Sequence, residues 1–343
     1  MVEPIRFGLV GAGGIARAYV EALAATPDVR LVAVSDTRPE AAAALASTCG
    51  AEVFRSHDEL ADRGGCEAVI VCTPPRFHAG ITLDLLGRGI AVLCEKPLSI
   101  SEEAARSMID GAARVGVPLA MASKFRYVPA LSAARQLVLN GAIGELIQVE
   151  NAFSGRIDMT GRWNSDPRVS GGGVIIDNGT HSADIIRFLA GHVHSIFAVE
   201  GRRIQSHEVE DSAHLVMRCM GGALATVDLS WSADRMLDWF VRLHGNEAVI
   251  EIGWRESRLR RAGGTWTSFG GGYDKQLAFI RQLQEFCRAL RGQPALLVQG
   301  EEALHSVAVV QAAYRSIASG SWADLHPIEN LSMTPTTPAR AAE

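Results

Sequence analysis

The chain has 343 residues, 48% of them hydrophobic and 21% charged, with a formal net charge of −5. This is the make-up of a globular protein long enough for two domains. A mild negative balance without basic blocks argues against nucleic acid as a partner, and the lack of a long apolar span argues against a membrane segment.

Up to residue 122, short apolar runs alternate with Ala-rich helical stretches. Strands are predicted at 5–10, 29–35, 52–54, 68–72, 90–94 and 118–122, and helices at 15–25, 39–47, 77–87 and 102–115. Ser101 is the expected N-cap of the last helix and Gly116 its stop. The alternation predicts a doubly wound parallel sheet. From 123 the rhythm changes. A helix is predicted at 130–140, then strands at 143–153, 193–201, 212–218, 223–232, 239–245 and 248–253, joined by short polar turns as in a mostly antiparallel sheet. Helices at 173–189, 276–291 and 300–319 complete an α+β unit. Residues 329–343, rich in Thr, Pro and Ala, are expected to be a disordered tail.

The six cysteines, Cys49, Cys66, Cys72, Cys94, Cys219 and Cys287, form no CxxC pair. They suit a reduced, cytoplasmic setting better than a disulfide framework. The chain enters a strand within a few residues, so no signal segment is expected ahead of it.

Between the first strand and helix lies Gly11-Ala12-Gly13-Gly14-Ile15-Ala16, the G-x-G-x-x-A form of a dinucleotide fingerprint. Gly11 is expected to make the tight turn and Gly13 to admit a pyrophosphate. Gly14 and Ile15 open the helix whose N-terminus faces the phosphates, and Ala16 packs helix on strand. Asp36 ends the second strand, where the ribose hydroxyls of an adenosine would sit. Its carboxylate favours NAD; Arg38, two residues on, leaves NADP as the alternative. The expected division is therefore a Rossmann dinucleotide-binding domain over 1–122 and a substrate-binding and oligomerisation domain over 123–328.

Ligands of such sheets bind at the carboxyl ends of the strands. The fourth strand ends in Thr73-Pro74-Pro75, with His78 just beyond, and the fifth in Glu95-Lys96-Pro97. A strand-end lysine with its stem packed on apolar surface is common by itself. Here it lies where the fold collects its chemistry. Farther on, Asp177, His181 and Asp184 share one helix face at i, i+4 and i+7, while Val174, Ile175, Ile176, Ile185, Ile186 and Leu189 are apolar and expected in the core.

Taken together, "GLVGAGGIA", "TPPRFH", "CEKPLS", "KFRYVP", "GGGVIIDNGTHSADIIRFLAG" and "VEDSAHLVMRCMGGALATVDLSW" resemble, in that order, the Gfo/Idh/MocA family of glucose–fructose oxidoreductase and inositol dehydrogenase. The resemblance spans about residues 5 to 325. It implies an NAD(P)-dependent dehydrogenase in which Lys96 touches cofactor and substrate hydroxyl, Asp177 and His181 complete the catalytic set with His181 as acid/base, and Arg126 lies near the substrate. It also implies a Lys96–Pro97 cis bond and self-association into a dimer or tetramer through the outer face of the second sheet. Thr73, Pro74, His78, Glu95 and Lys96 are the expected strand-end contacts to the cofactor. Lys96, Arg126, Trp163, Asp177, Asn178 and His181 make a polar lining suited to a sugar, cyclitol or nucleotide-linked sugar, and no metal set is expected. Two other activities occur on such a scaffold. A non-catalytic regulator is expected to lose the lysine or the histidine, and a redox-assisted glycosidase usually accompanies export.

Overall fold

A computed structural model describes residues 3–325. Six apolar segments, β1 (Ile5–Val10), β2 (Val29–Ser35), β3 (Glu52–Phe54), β4 (Ala68–Val71), β5 (Ala91–Glu95) and β6 (Leu119–Ala122), form an all-parallel sheet in the order β3-β2-β1-β4-β5-β6. Every residue of β4, β5 and β6 is buried, which is why these strands read as continuous apolar runs rather than alternating ones. The strand order reverses between β1 and β4, where a crevice opens at the carboxyl ends.

The crossovers are α1 (Gly14–Ala24), α2 (Pro39–Ala46), α3 (His57–Arg63), α4 (His78–Gly87) and α5 (Glu102–Val115). Ser101 caps α5 by accepting a hydrogen bond from the Ala104 N–H, and Gly116 ends it at φ 72°, as the sequence leads one to expect. Helix α3 was not among the predicted elements. Its start is marked by Ser56, whose hydroxyl accepts from the Glu59 N–H.

The second half runs α6 (Pro129–Leu139), β7 (Leu146–Ser154), α7 (Pro167–Ser170), α8 (Val174–Ala190), β8 (Val193–Glu200), β9 (Ser212–Cys219), β10 (Leu224–Ser230), β11 (Trp239–Gly245), β12 (Ala248–Gly253), β13 (Glu256–Arg261), β14 (Thr267–Gly271), α9 (Lys275–Leu290), α10 (Glu301–Ser319) and β15 (Ala323–Asp324). Nine strands form one sheet, β14-β13-β12-β11-β7-β10-β9-β8-β15, antiparallel at every pair except β10 with β7. Ala225, Val227, Leu229 and Trp231 are buried on the side that meets α8. Leu224, Thr226 and Asp228 face outward, the period-2 division their spacing predicts. Ser230 departs from that pattern. It is buried at the strand end, bonded to Ser212 and accepting from the Ser232 and Ala233 N–H groups.

The packing does not divide at 122/123. Phe279, Leu283 and Phe286 of α9 share an apolar cluster with Phe7, Leu9 and Tyr19, and Val298, Leu304 and Val307 join Val71, Leu86 and Met108. Met121 donates its N–H to the Val298 carbonyl at 2.7 Å. The C-terminal segments thus pack on both faces of the first sheet, α9 beside α1 on one and residues 298–307 beside α4 and α5 on the other. The expected tail, 329–343, lies outside the described residues.

Candidate active site

At the glycine turn, Gly11 has φ 97°, and a Cβ there would meet the Cys72 carbonyl carbon at 2.8 Å, so only glycine fits. A Cβ on Gly13 or Gly14 would meet nothing within 4 Å. That open side is room for a ligand against the backbone. Helix α1 begins there with no side-chain cap, which leaves its first N–H groups for phosphate oxygens. Asp36 closes the turn from below: Oδ2 accepts the Ala12 N–H at 2.7 Å, and Oδ1 accepts the Arg38 N–H at 2.8 Å and its Nε at 3.2 Å. Burial pushes the Asp36 carboxyl up, but these bonds outweigh it and hold it below the usual range. The donor set fits a dinucleotide with a free ribose hydroxyl pair.

At the strand ends, Thr73 and Pro74 sit half-buried on the rim. His78, expected against the cofactor, is placed elsewhere. It is fully buried, with Nδ1 2.8 Å from the Pro97 carbonyl and Nε2 2.8 Å from that of Thr73, so it clamps two strand-end loops together. Glu95 is also turned inward. It accepts the Tyr19 hydroxyl at 2.8 Å and the Lys96 N–H at 3.1 Å, and Gln282 in turn donates to Tyr19 at 3.0 Å. Burial raises the Glu95 carboxyl, against the pull of the Lys96 charge. The Lys96–Pro97 bond is cis.

Across the crevice stands α8. Its start is fixed by Glu210, whose carboxylate accepts the Gly173 and Ile175 N–H groups at 3.0 Å and the Tyr314 hydroxyl at 2.9 Å. A side chain on Gly172 would collide with Tyr314, and one on Gly173 with the Glu210 backbone. The glycine run therefore lets the helix seat deeply. Seated so, Asp177 meets Lys96: Nζ lies 2.5 Å from Oδ1 and 2.8 Å from the Asp177 carbonyl, with the two side chains 14% and 24% exposed. Trp163, Asn164 and Pro75 line the same cleft. One turn on, His181 is 5% exposed, edge-on to Phe125 at 5.0 Å and near Phe153. Its Nδ1 is buried with no hydrogen-bond partner. Burial, then the charges of Lys96 and Lys124, hold the imidazole well below its usual range, so the ring is neutral at pH 7.

Arg126 corrects the sequence expectation. It is 1% exposed, paired with fully buried Asp184 and with Glu302, and Ser123 donates to the same Asp184 at 2.6 Å. Every face of its guanidinium is spent inside the protein, leaving none for a substrate. Asn178 stays half-buried beside Asp177, and Trp163 is 44% exposed at the cleft mouth. Lys124 is a neighbour that sequence reasoning passed over. A signal was available: the chain has three lysines against thirty arginines, and Lys96 and Lys275 both lie within electrostatic reach of Lys124.

A glycine-rich turn into a bare helix start, an acid at the end of β2, a lysine at the end of β5 and a neutral histidine facing it from α8 define a dinucleotide-dependent oxidoreductase. Residues 5–123 match the model described as "Oxidoreductase family, NAD-binding Rossmann fold", and residues 131–251 that of the Gfo/Idh/MocA C-terminal domain. The chain belongs to the Gfo/Idh/MocA family. It is 28% identical to an inositol 2-dehydrogenase of Rhizobium meliloti over 92% of this chain and 97% of that one. A D-glucoside 3-dehydrogenase of Escherichia coli is 26% identical, over 94% and 98%. Levoglucosan dehydrogenase in complex with NADH has the same fold, with TM-score 0.88 and 21% identity over 94% of this chain and all of that one.

Proposed function

We propose that the chain is an NAD-dependent dehydrogenase interconverting a carbinol and a carbonyl on a polyhydroxylated substrate. One observation carries this: Lys96, at a strand end and held by Asp177, lies within electrostatic reach of neutral His181, which stands one helical turn past Asp177 on α8. When bound, NAD supplies the two-electron acceptor for the carbinol carbon. Gly11, Gly13 and the start of α1 would hold its pyrophosphate, and Asp36 its adenosine ribose. Asp177 holds and aims the Lys96 ammonium. Lys96 then donates a hydrogen bond to the substrate oxygen and stabilises the negative charge that grows there. His181, with Nδ1 sealed in the interior, accepts the hydroxyl proton at Nε2. The aromatic wall of Phe125, Phe153 and Tyr273 excludes water from that transfer.

The names of the relatives, inositol and glucoside dehydrogenases, support a ring bearing several hydroxyls as substrate. The test is NADH formation by the purified protein with a panel of aldoses, glucosides and inositols; a protein that binds NAD yet oxidises none of them is not this enzyme. Self-association is part of the proposal. The outer face of the second sheet mixes ion pairs, Arg242 with Glu251 and Asp228 with His214, with exposed apolar side chains such as Val199 and Leu224. A mixed polar and apolar face of this kind suits a homodimer or homotetramer, and a monomer at micromolar concentration by light scattering would refute it. Six unpaired cysteines support a reducing, cytoplasmic location.

A further inference from the structure

Lys124 follows the end of β6, and the last residue of β6, Ala122, pairs with Glu95 of β5. Lys124 and Lys96 therefore leave neighbouring strands on one rim. The Lys124 ammonium lies 5.4 Å from the Phe125 ring centroid and, among the described residues, makes no hydrogen bond and no ion pair. Each acid around it is engaged. Asp177 holds Lys96, and Glu95 takes Tyr19 and its own strand end. Lys275, exposed on α9, adds a further positive charge. An ammonium drawn out of bulk water with three donors and no acceptor costs free energy. A ligand that brings both the acceptor and the counter-charge would relieve that cost.

We propose that Lys124 is a specificity-determining residue that binds a carboxylate on the substrate, making the preferred substrate a polyhydroxylated acid rather than a neutral sugar. This rests on the dehydrogenase reading: the carbinol meets Lys96 and His181 while the carboxylate meets Lys124. A single ammonium suits a monoanion. The start of α8, whose free N–H groups could otherwise help hold a phosphate, is already filled by Glu210. The charge that selects the acid is conditional. Burial, then Lys96, bring Lys124 down to about 8, with Lys275 pushing the same way and Glu95 and Asp177 opposing. A lysine can be tuned in this way where an arginine cannot.

The test compares kcat/KM for matched pairs, D-glucuronate with D-glucose, D-galacturonate with D-galactose and quinate with myo-inositol. Wild type, Lys124→Met and Lys124→Arg are each assayed at neutral pH and at about pH 9. At neutral pH the wild type is expected to favour an acid roughly 30-fold or more, chiefly through KM, and Lys124→Met to erase the preference. At the alkaline pH the wild type loses the preference and Lys124→Arg keeps it. A preference for neutral sugars, a preference for sugar phosphates over carboxylates, or an acid preference that survives in Lys124→Met overturns the proposal. If no compound is oxidised, calorimetry of D-glucuronate with the NAD-loaded protein decides. Binding that Lys124→Met abolishes upholds the carboxylate site while the dehydrogenase reading falls; no binding overturns the site.

Discussion

Asp177 and Asp184 lie two turns apart on α8, and each meets a cation supplied from just beyond a strand of the first sheet. Asp177 holds Lys96 with both side chains partly open to the cleft. Asp184 holds Arg126 with both fully enclosed, and Ser123, Glu302 and Arg187 complete a network around them. Burial pulls the Arg126 guanidinium down, but Asp184 and Glu302 outweigh it, so it stays charged. The cations suit these settings. Lysine is a point charge on a flexible stem that can share itself with a substrate oxygen, whereas the arginine fork locks into a fixed carboxylate. A pair that must serve chemistry keeps one side free, and a pair that joins elements keeps none.

The largest effects should come from the open end. His181→Ala is expected to cut turnover ~10²–10⁴-fold and Lys96→Ala ~10²–10³-fold. Both groups act on one oxygen, so the double mutant should be little worse in turnover than the poorer single. The closed end should behave in reverse. Asp184→Ala strands a buried guanidinium and should cost about 3–5 kcal/mol in urea unfolding, with turnover per folded molecule largely kept. Equal losses of turnover at both ends would erase the distinction.

A third pair, Asp36 with the more exposed Arg38, tests the middle ground. Asp36→Ser should weaken NAD about tenfold, ~1.4 kcal/mol, and help NADP through Arg38, as read by fluorescence titration. A wild type that already prefers NADP tenfold would overturn the assignment of Asp36. The smallest effect is on pH dependence. The folded pKa of His181 lies below its unfolded value, so the unfolded chain binds the extra proton first. Stability should therefore fall as pH drops below about 6.5, and His181→Phe should flatten that slope in urea titrations at a series of pH values. The kcat/KM for alcohol oxidation should hold level to below the same pH, because the base stays unprotonated there.

How much of this was legible varied with how local the signal was. The glycine turn, the Asp36 strand end and the caps of α5 are written within a few neighbouring residues, and the structure has them where the sequence places them. The shared face of Asp177, His181 and Asp184 was legible as well. Its meaning was not, because periodicity says which residues lie together and nothing of what packs over each end of the helix. For the same reason Arg126 read as a substrate contact: a sequence shows a cation, and only the fold shows the two carboxylates that enclose it. His78 was misplaced likewise, since its partners are backbone carbonyls. Ser56 with Glu59 marked α3 and was overlooked. Strand β13, reading Glu-Ser-Arg-Leu-Arg-Arg, carries too many charges to look like a strand until it is seen near the sheet edge.

The docking of α9 on the first sheet sets an order of events during synthesis. The strands that hold the glycine turn emerge first, yet the face later covered by Phe279, Leu283 and Phe286 must wait for a helix near the far end of the chain. At ordinary elongation rates that wait is on the order of ten seconds. Over that interval the nascent Rossmann half offers an apolar face to solvent, and so to chaperones or to another unfinished chain. The sheet that carries the nucleotide site is fully covered only when the last fifth of the protein arrives. A ribosome that stalls before α9 would therefore release a product that is open to aggregation rather than a soluble Rossmann half.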